Sequence, residues 1–335
     1  MEKLKIVLDR INAQYGLDVS FVRRVEYGYL TNNYILKCGD TRYFLKQYRY
    51  KEIDRIREVH KVKQFFSDGG IPVILPIKDK EGKSFFSCEG FYYSLFPFIK
   101  GKIIEREDLY NVPLASMAET LAKTHLLSKN GSPFTVSKKL KILDTEGFLE
   151  KTDFLLKIIE EKAIKDSYDV MAEENLRLKR KLVKQNDLNQ EDLGLVNDHL
   201  IHGDYHTLNT FFDEHDKVQY IFDFEKTKLA PRVFELIRAV MFDCFNGNYH
   251  DKESFEKASL YISKYHSVYP LEKGEIEKGM RYMYLNRIHN LWGESEHYLK
   301  NNSKVDGFLP KRLESNKYLS KNLDEFISIL ENAAL

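Results

Sequence analysis

The 335-residue chain is poor in several things, and each scarcity excludes something. It has three cysteines, Cys38, Cys88 and Cys244, far apart and without a C-x-x-C pair, so neither a disulfide framework nor a zinc finger is expected. It lacks an excess of charge: 52 basic against 51 acidic residues leave a net charge of +1, without a basic block. That balance argues against a nucleic-acid or membrane-surface partner. It lacks a long apolar run, since FYYSLFPFI is only about half of what a membrane span needs. It has no H-E-x-x-H pair. Gly82-Lys83-Ser84 ends like a P-loop, but the motif needs glycine at 77, where the chain has Ile77. No internal repeat or low-complexity linker is visible.

What is present is a chain long enough for two domains, with composition changing along it. Leu4, Val7, Leu8 and Ile11 share one helix face, and the opening stretch lacks the apolar core and cleavage site of a signal peptide. A cytoplasmic protein is expected. Residues 20–48 are rich in β-branched and aromatic residues and turn at Cys38-Gly39-Asp40. They read as a meander of VEYGYL, NNYILKCG and TRYFLKQY. Ile53, Ile56, Val59, Val62 and Phe66 then recur at helical spacing until Gly69-Gly70. IPVILPI and SFFSCEGFYYSLFPFI read as strands around the turn DKEGK. From Leu109 onward helix dominates, including MAETLAKTHLL and a long charged run at 146–186 that reads as a solvated face. A strand–loop–strand island at 200–224 interrupts the helices, which resume over 232–333. A lobe boundary is expected between Pro97 and Lys102.

The island carries the chemistry. LIHGDYHTLNTFF, residues 200–212, places His202, Asp204, His206 and Asn209 between apolar segments, and Asp223 follows in YIFDFE. Polar groups buried without partners cost about 1–3 kcal/mol each, so these either cap one another or serve a ligand. Phosphoryl transfer needs a carboxylate to orient and deprotonate a hydroxyl, and oxygen ligands to hold magnesium against phosphates. Asp204, Asn209 and Asp223 supply those groups. The competing reading on composition is zinc held by His199, His202 and His206.

HGDYHTLN followed by IFDFE resembles the catalytic loop and metal-binding motif of the aminoglycoside phosphotransferase and choline/homoserine kinase-like family, relatives of protein kinases. The resemblance implies an α+β, bilobal protein-kinase-like fold. A small β-sheet lobe would span 1–98 and bind nucleotide; a larger, mainly helical lobe would span 99–335. It implies ATP and Mg²⁺ as cofactors and a small-molecule hydroxyl as acceptor: an amino alcohol, a homoserine-like amino acid, a sugar or an aminoglycoside. Asp204 becomes the catalytic base, His202 the brace of its loop, and Asn209 and Asp223 the magnesium ligands. His206 matches a second family histidine, and His125 one on a helix, where packing or capping is its expected role.

Lys46, in strand-like TRYFLKQY on one face with Phe44 and Tyr48, becomes the phosphate lysine. Glu58 on the following helix is its expected partner, with Glu52 second. Gly28, Thr31 and Asn32 in EYGYLTNNYIL take the phosphate-covering position, and the stretch Phe96 to Ile99, with Phe98, that of the adenine hinge. For the acceptor the candidates are Asp243, Trp292 and Glu294, the last two as an aromatic and acidic site for an ammonium group. The chain departs from the family in three places. Thr207-Leu208 replaces a frequent proline and glycine, Glu225 stands where protein kinases have glycine, and Glu235 stands where an aspartate is usual. The alternative is a non-catalytic, kinase-like nucleotide-binding or scaffold protein.

Overall fold

A computed structural model of the chain describes residues 2–25, 31–129 and 139–333. The first elements are α1 (Glu2–Tyr15), β1 (Ser20–Val25), β2 (Thr31–Cys38), β3 (Thr41–Tyr48), α2 (Ile53–Asp68), β4 (Phe86–Cys88) and β5 (Phe91–Pro97). Then come α3 (Asn111–Lys129), α4 (Thr145–Glu160), α5 (Ser167–Gln185), β6 (His199–Ile201), β7 (Thr210–Phe212), β8 (Val218–Ile221) and β9 (Lys228–Ala230). The chain continues with α6 (Arg232–Val240), a π-helical turn at Met241–Phe245, α7 (Lys252–Val268), α8 (Glu275–Ile288), α9 (Trp292–Lys300) and α10 (Leu309–Asn332). The mixed α+β composition expected from the sequence is present.

The chain divides into two compact units. One holds the described residues up to Ile104 together with His202–Lys228; the other holds residues 105–129, 139–201 and 229–333. From His202 on the island thus clusters with the sheet, although helices α3, α4 and α5 lie between them in sequence.

In the first unit five antiparallel strands form a sheet in the order β1-β2-β3-β5-β4. The β2–β3 turn falls at Gly39, whose φ of +56° suits glycine. Register decides which side chains share a face. Asn33 pairs with Lys46 and Lys46 with Ser94; Thr31 pairs with Tyr48 and Phe44 with Phe96. Because side chains alternate along a strand, Thr31, Asn33, Phe44, Lys46, Tyr48, Ser94 and Phe96 all project to one side. The other side buries Leu36, Leu45, Tyr93 and Leu95 against Val7 and Ile11 of α1.

Helix α2 turns Ile56, Val59, His60, Val62, Lys63 and Phe66 inward and ends at Gly69, as its spacing suggests. IPVILPI, expected as a strand, is not one. Pro72 and Pro76 cannot donate to a ladder, so the segment makes only an isolated bridge, Val73 to Ile221 of β8, supported by Ile221 N to Pro72 O at 2.8 Å. The Gly82-Lys83-Ser84 triplet lies in a turn closed by Asp79, whose Oδ1 accepts from the backbone of Glu81 and Lys83. VEYGYL falls largely on residues 26–30, outside the described residues.

The second unit is helical. Leu155, Ile159, Ala172, Leu176, Leu285 and Ile288 pack its core. The run at 146–186 forms two helices, because Asp166 caps α5 in a reciprocal capping box with Asp169. Its charge is not all solvated: Asp169 and Lys179 are buried.

Candidate active site

The H-G-D loop is built around His202, which is fully buried. Its Nε2 lies 2.8 Å from the carbonyl oxygen of Phe222, which can only accept, so Nε2 carries the proton. Nδ1 then accepts the backbone N–H of Asp204 at 3.2 Å. The ring packs on Phe224 at 4.4 Å between centroids. One imidazole therefore ties the start of the loop to the segment carrying Asp223. Both nitrogens are committed within the protein, as are those of His199 in the other unit, to Asp198 and to the Tyr269 hydroxyl. Among the described residues no three His, Cys, Asp or Glu side chains converge as metal ligands. The zinc reading is not supported.

Gly203 has a φ of +83°, and a Cβ there would overlap the main-chain carbonyl of Lys226. Only glycine permits that approach. Asn209 is buried, and its amide nitrogen donates to the carbonyl of Asp204 at 2.9 Å, which ties the far end of the loop to its beginning. Thr207, one of the departures from the family pattern, donates its hydroxyl to the carbonyl of Ile104 at 2.6 Å and so anchors the loop within the first unit. The Asp204 carboxylate meets Lys226 Nζ at 2.8 Å and lies 3.8 Å from His206 Nε2.

Across the same unit, buried Lys46 reaches Asp223 Oδ1 at 3.2 Å and forms an ion pair with Glu225 Oε1. Asp223 adopts the left-handed conformation, φ +68°, which turns two carboxylates of one short segment toward one amine. Burial alone would lower the Lys46 pKa, but Glu225 and then Asp223 overcome this and raise it. Burial would raise Glu225, but Lys46 holds it far below the usual carboxylate range. Asp223 is pushed upward by desolvation and by the like charge of Glu225, and the 43% of its side chain left open to solvent limits that rise.

Three expectations need correction. Glu58 is exposed, and so is Glu52, because the inward face of α2 runs through 56, 59, 60 and 63. Glu225 meets Lys46 instead. Asn32 lies on the sheet face opposite Lys46. Its side chain is engaged by Arg24, Arg49 and Gln47, with Arg49 at 2.8 Å, so Thr31 and Asn33 are the residues on the lysine's side. Gly28 falls outside the described residues. In the hinge stretch, Phe96 is buried under the ammonium of Lys63, 4.6 Å from its ring centroid, and Phe98 is half-buried with Arg42 over it at 5.8 Å. Motif spacing could not have shown Glu225 as the lysine's partner, Lys63 or Lys226. The inward face of α2 was readable from its apolar residues, and it passes through Lys63.

The sequence profile of the phosphotransferase enzyme family matches residues 22–271, three quarters of the chain. The chain belongs to that family. Solved structures agree on the fold. A spectinomycin phosphotransferase in complex with ADP and spectinomycin superposes with a TM-score of 0.60 at 18% identity, covering 99% of this chain and 98% of that one. An amicoumacin kinase in complex with AMP-PNP, Ca²⁺ and Ami gives 0.61 at 16% identity, covering 93% of each chain. A choline kinase from Cryptosporidium parvum Iowa II gives 0.61 at 13% identity, covering 99% of each. No match is found among curated proteins. The fold is the α+β, protein-kinase-like one that the motif resemblance implied.

In this phosphotransferase the acceptor candidates lie in the helical unit, in three different settings. Asp243, on the π-helical turn, is buried, with Arg106 Nε at 3.9 Å. Glu294 is buried beneath the surface: Lys179 Nζ and Asn175 Nδ2 donate to its Oε1 at 2.8 and 2.7 Å. Trp292 is 40% exposed, and its ring already carries the Arg312 guanidinium at 5.3 Å. Trp292 and Glu294 therefore do not form an ammonium cage, since the protein's own cations occupy both. His125 is buried between the Tyr265 hydroxyl at 2.8 Å and Glu235 at 3.1 Å, a packed role that also places Glu235.

Proposed function

We propose that the protein is an ATP-dependent small-molecule kinase that transfers the γ-phosphoryl group to a hydroxyl. The observation that carries this is Lys46 Nζ 3.2 Å from Asp223 Oδ1, in the unit that also holds the Asp204–Asn209 loop. Asp204 accepts a hydrogen bond from the acceptor hydroxyl and takes its proton as the new O–P bond forms and the bond to the β-phosphate's bridging oxygen breaks. Lys46 holds α- and β-phosphate oxygens. Asn209, whose nitrogen is spent on the loop, offers its amide oxygen, and Asp223 its partly open carboxylate. One carboxylate and one amide oxygen beside nucleotide phosphates suit magnesium, which would neutralise charge on the transferring group. Lys226, now on Asp204, must yield to the incoming hydroxyl. Functionally, residues 1–98 serve as the nucleotide lobe and 99–335 as the catalytic and acceptor lobe.

The acceptor is drawn from amino alcohols, homoserine-like amino acids, sugars and aminoglycosides, a range that spans the choline and spectinomycin named for its structural neighbours. The proposal places the reaction in the cytoplasm. Three widely separated cysteines support this. Among the described residues no helix is long and apolar enough to cross a membrane. The scaffold alternative drew on the departure at Thr207-Leu208, and the Thr207 bond to Ile104 gives that departure a structural role. The deciding experiment is a magnesium-dependent thermal shift with ATP, followed by a phosphorylation screen over hydroxylated metabolites with products identified by mass. No shift and no turnover across the panel would favour the scaffold.

A further inference from the structure

Four charged side chains of the helical unit converge from four helices: Lys179 of α5, Arg287 of α8, Glu294 of α9 and Arg312 of α10. Three are cations and one is a carboxylate. Lys179 and Glu294 are buried, and Oε1 of Glu294 is taken by Lys179 and Asn175. The two arginines are half-buried. They donate only to neutral amide oxygens, Arg287 Nε to Asn316 Oδ1 at 3.0 Å and Arg312 Nη1 to Asn290 Oδ1 at 3.4 Å. Among the described residues neither arginine forms an ion pair.

Charges withdrawn from water are normally matched, and these are not. Burial lowers the pKa of both arginines; Glu294 raises that of Arg312, and Arg287 lowers it again. The helix dipole adds to the surplus. A Cβ at Gly293, in the first turn of α9, would lie 3.6 Å from Arg312 Nη1. A guanidinium there faces the positive end of the helix, a position that favours anions. The Trp292 ring holds it in place at 5.3 Å.

We infer that this cluster binds the carboxylate or phosphate group of a small molecule, with Arg312 as the contact and Arg287 and Lys179 as supporting charge. Asn290 and Trp292, the two residues that Arg312 touches, also line an open groove of about 550 Å³ with Phe148, Leu291 and Leu299. An apolar body attached to the anion fits that lining. The groove's own carboxylates are spent, Asp144 on the N-terminus of α4 and Glu296 on Lys300 and Asn302. An ammonium group is disfavoured in the same place, since it would add a fourth cation. The site lies within the helical unit and uses none of Lys46, Asp204, Asn209 and Asp223, so it does not depend on the kinase reading.

Trp292 is the chain's only tryptophan, so its fluorescence reports on the site. The full chain is titrated with benzoate and with inorganic phosphate, against sodium chloride at matched ionic strength. A saturable change in emission is expected with at least one of them, and the tighter binder identifies the group. Arg312→Gln should weaken that binding roughly tenfold or more, the loss expected for a charge-assisted hydrogen bond. Arg312→Lys keeps the charge but not the fork, and should bind between the two. Calorimetric titration reads the same affinities independently of the emission that the guanidinium itself alters. Lys46→Ala should respond as wild type does, which separates this site from phosphate held by the sheet lysine. Should Arg312→Gln fail to fold, Arg312→Lys and Arg287→Gln are compared instead, and both should bind more weakly than wild type. The inference is overturned by no saturable response to either anion, by wild-type affinity in the folded Arg312 variant, by loss of the response in Lys46→Ala, or by a larger response to choline chloride than to the anions.

Discussion

Gly203 lies against the main-chain carbonyl of Lys226, closer than any residue with a Cβ could come, and does so at a φ of +83°. The H-G-D loop and the turn after Asp223 are thus in main-chain contact. Gly203→Ala must either strain the backbone or push the two segments apart, at a cost of about 1–3 kcal/mol. Denaturant unfolding should show that loss, and phosphoryl transfer should fall with it. An alanine variant as stable and active as wild type would mean the two segments can separate freely.

Asp204 and Lys226 should respond differently to removal. Asp204→Ala should lower turnover about 10²–10⁴-fold, the usual contribution of a positioned base, while ATP binding stays near wild type. Lys226 is 56% exposed, and exposed ion pairs contribute at most about 1 kcal/mol, so Lys226→Ala should leave stability within that range. Wild-type turnover in Asp204→Ala on the true acceptor would remove the assignment of the base.

Glu294 separates a structural from a substrate role. Its pair with Lys179 is buried on both sides, with the ammonium also donating to the carbonyl of Asn290 at 2.7 Å. Losing one charge of such a pair costs about 3–5 kcal/mol, because the other is left buried and unmatched. Glu294→Gln should therefore unfold at markedly lower denaturant, and Lys179→Met with Glu294→Leu should recover much of the loss. Unchanged stability combined with weaker acceptor binding would return Glu294 to the substrate site.

A pH dependence follows from His60. Burial, and then the charge of Lys63, lowers its pKa to about 3, with the neutral ring bonded to the Tyr48 hydroxyl at 3.0 Å and Ser84 at 2.8 Å. The unfolded chain takes up this proton near pH 6.5, whereas the folded one does so only near pH 3. Its contribution is therefore complete above pH ~6.5 and declines as pH falls toward 3, by at most about 1.4 kcal/mol per pH unit. His60→Gln should flatten the wild-type decline in unfolding free energy between pH ~6.5 and ~5. Parallel curves for the two proteins would refute it.

The sequence carried the local parts of the site well. The H-G-D-x-x-x-x-N spacing places the bracing histidine and the aspartate on one loop, because three or four residues of backbone leave little freedom. The strand alternation that aligned Phe44, Lys46 and Tyr48 holds in the structure. The helix face of α2 was also legible, yet Glu58 was placed on the wrong side of it. Motif order suggested a partner where helical phase, set by Ile56, Val59 and Phe66, left only an exposed position. Likewise Asn32 and Asn33 are neighbours in sequence, and only the pairing register shows that Asn33 shares the lysine's face.

By itself, then, the sequence carried the family resemblance: a carboxylate, an amide and a second carboxylate in the order and spacing of the phosphotransferase family's motifs. The tertiary structure decided which charges meet. Lys46 finds Glu225 across 179 positions, and Lys179 finds Glu294 across 115. Such pairs depend on which faces the packed elements bury together, and desolvation makes an unmatched buried charge costly. Neither periodicity nor motif spacing contains that information.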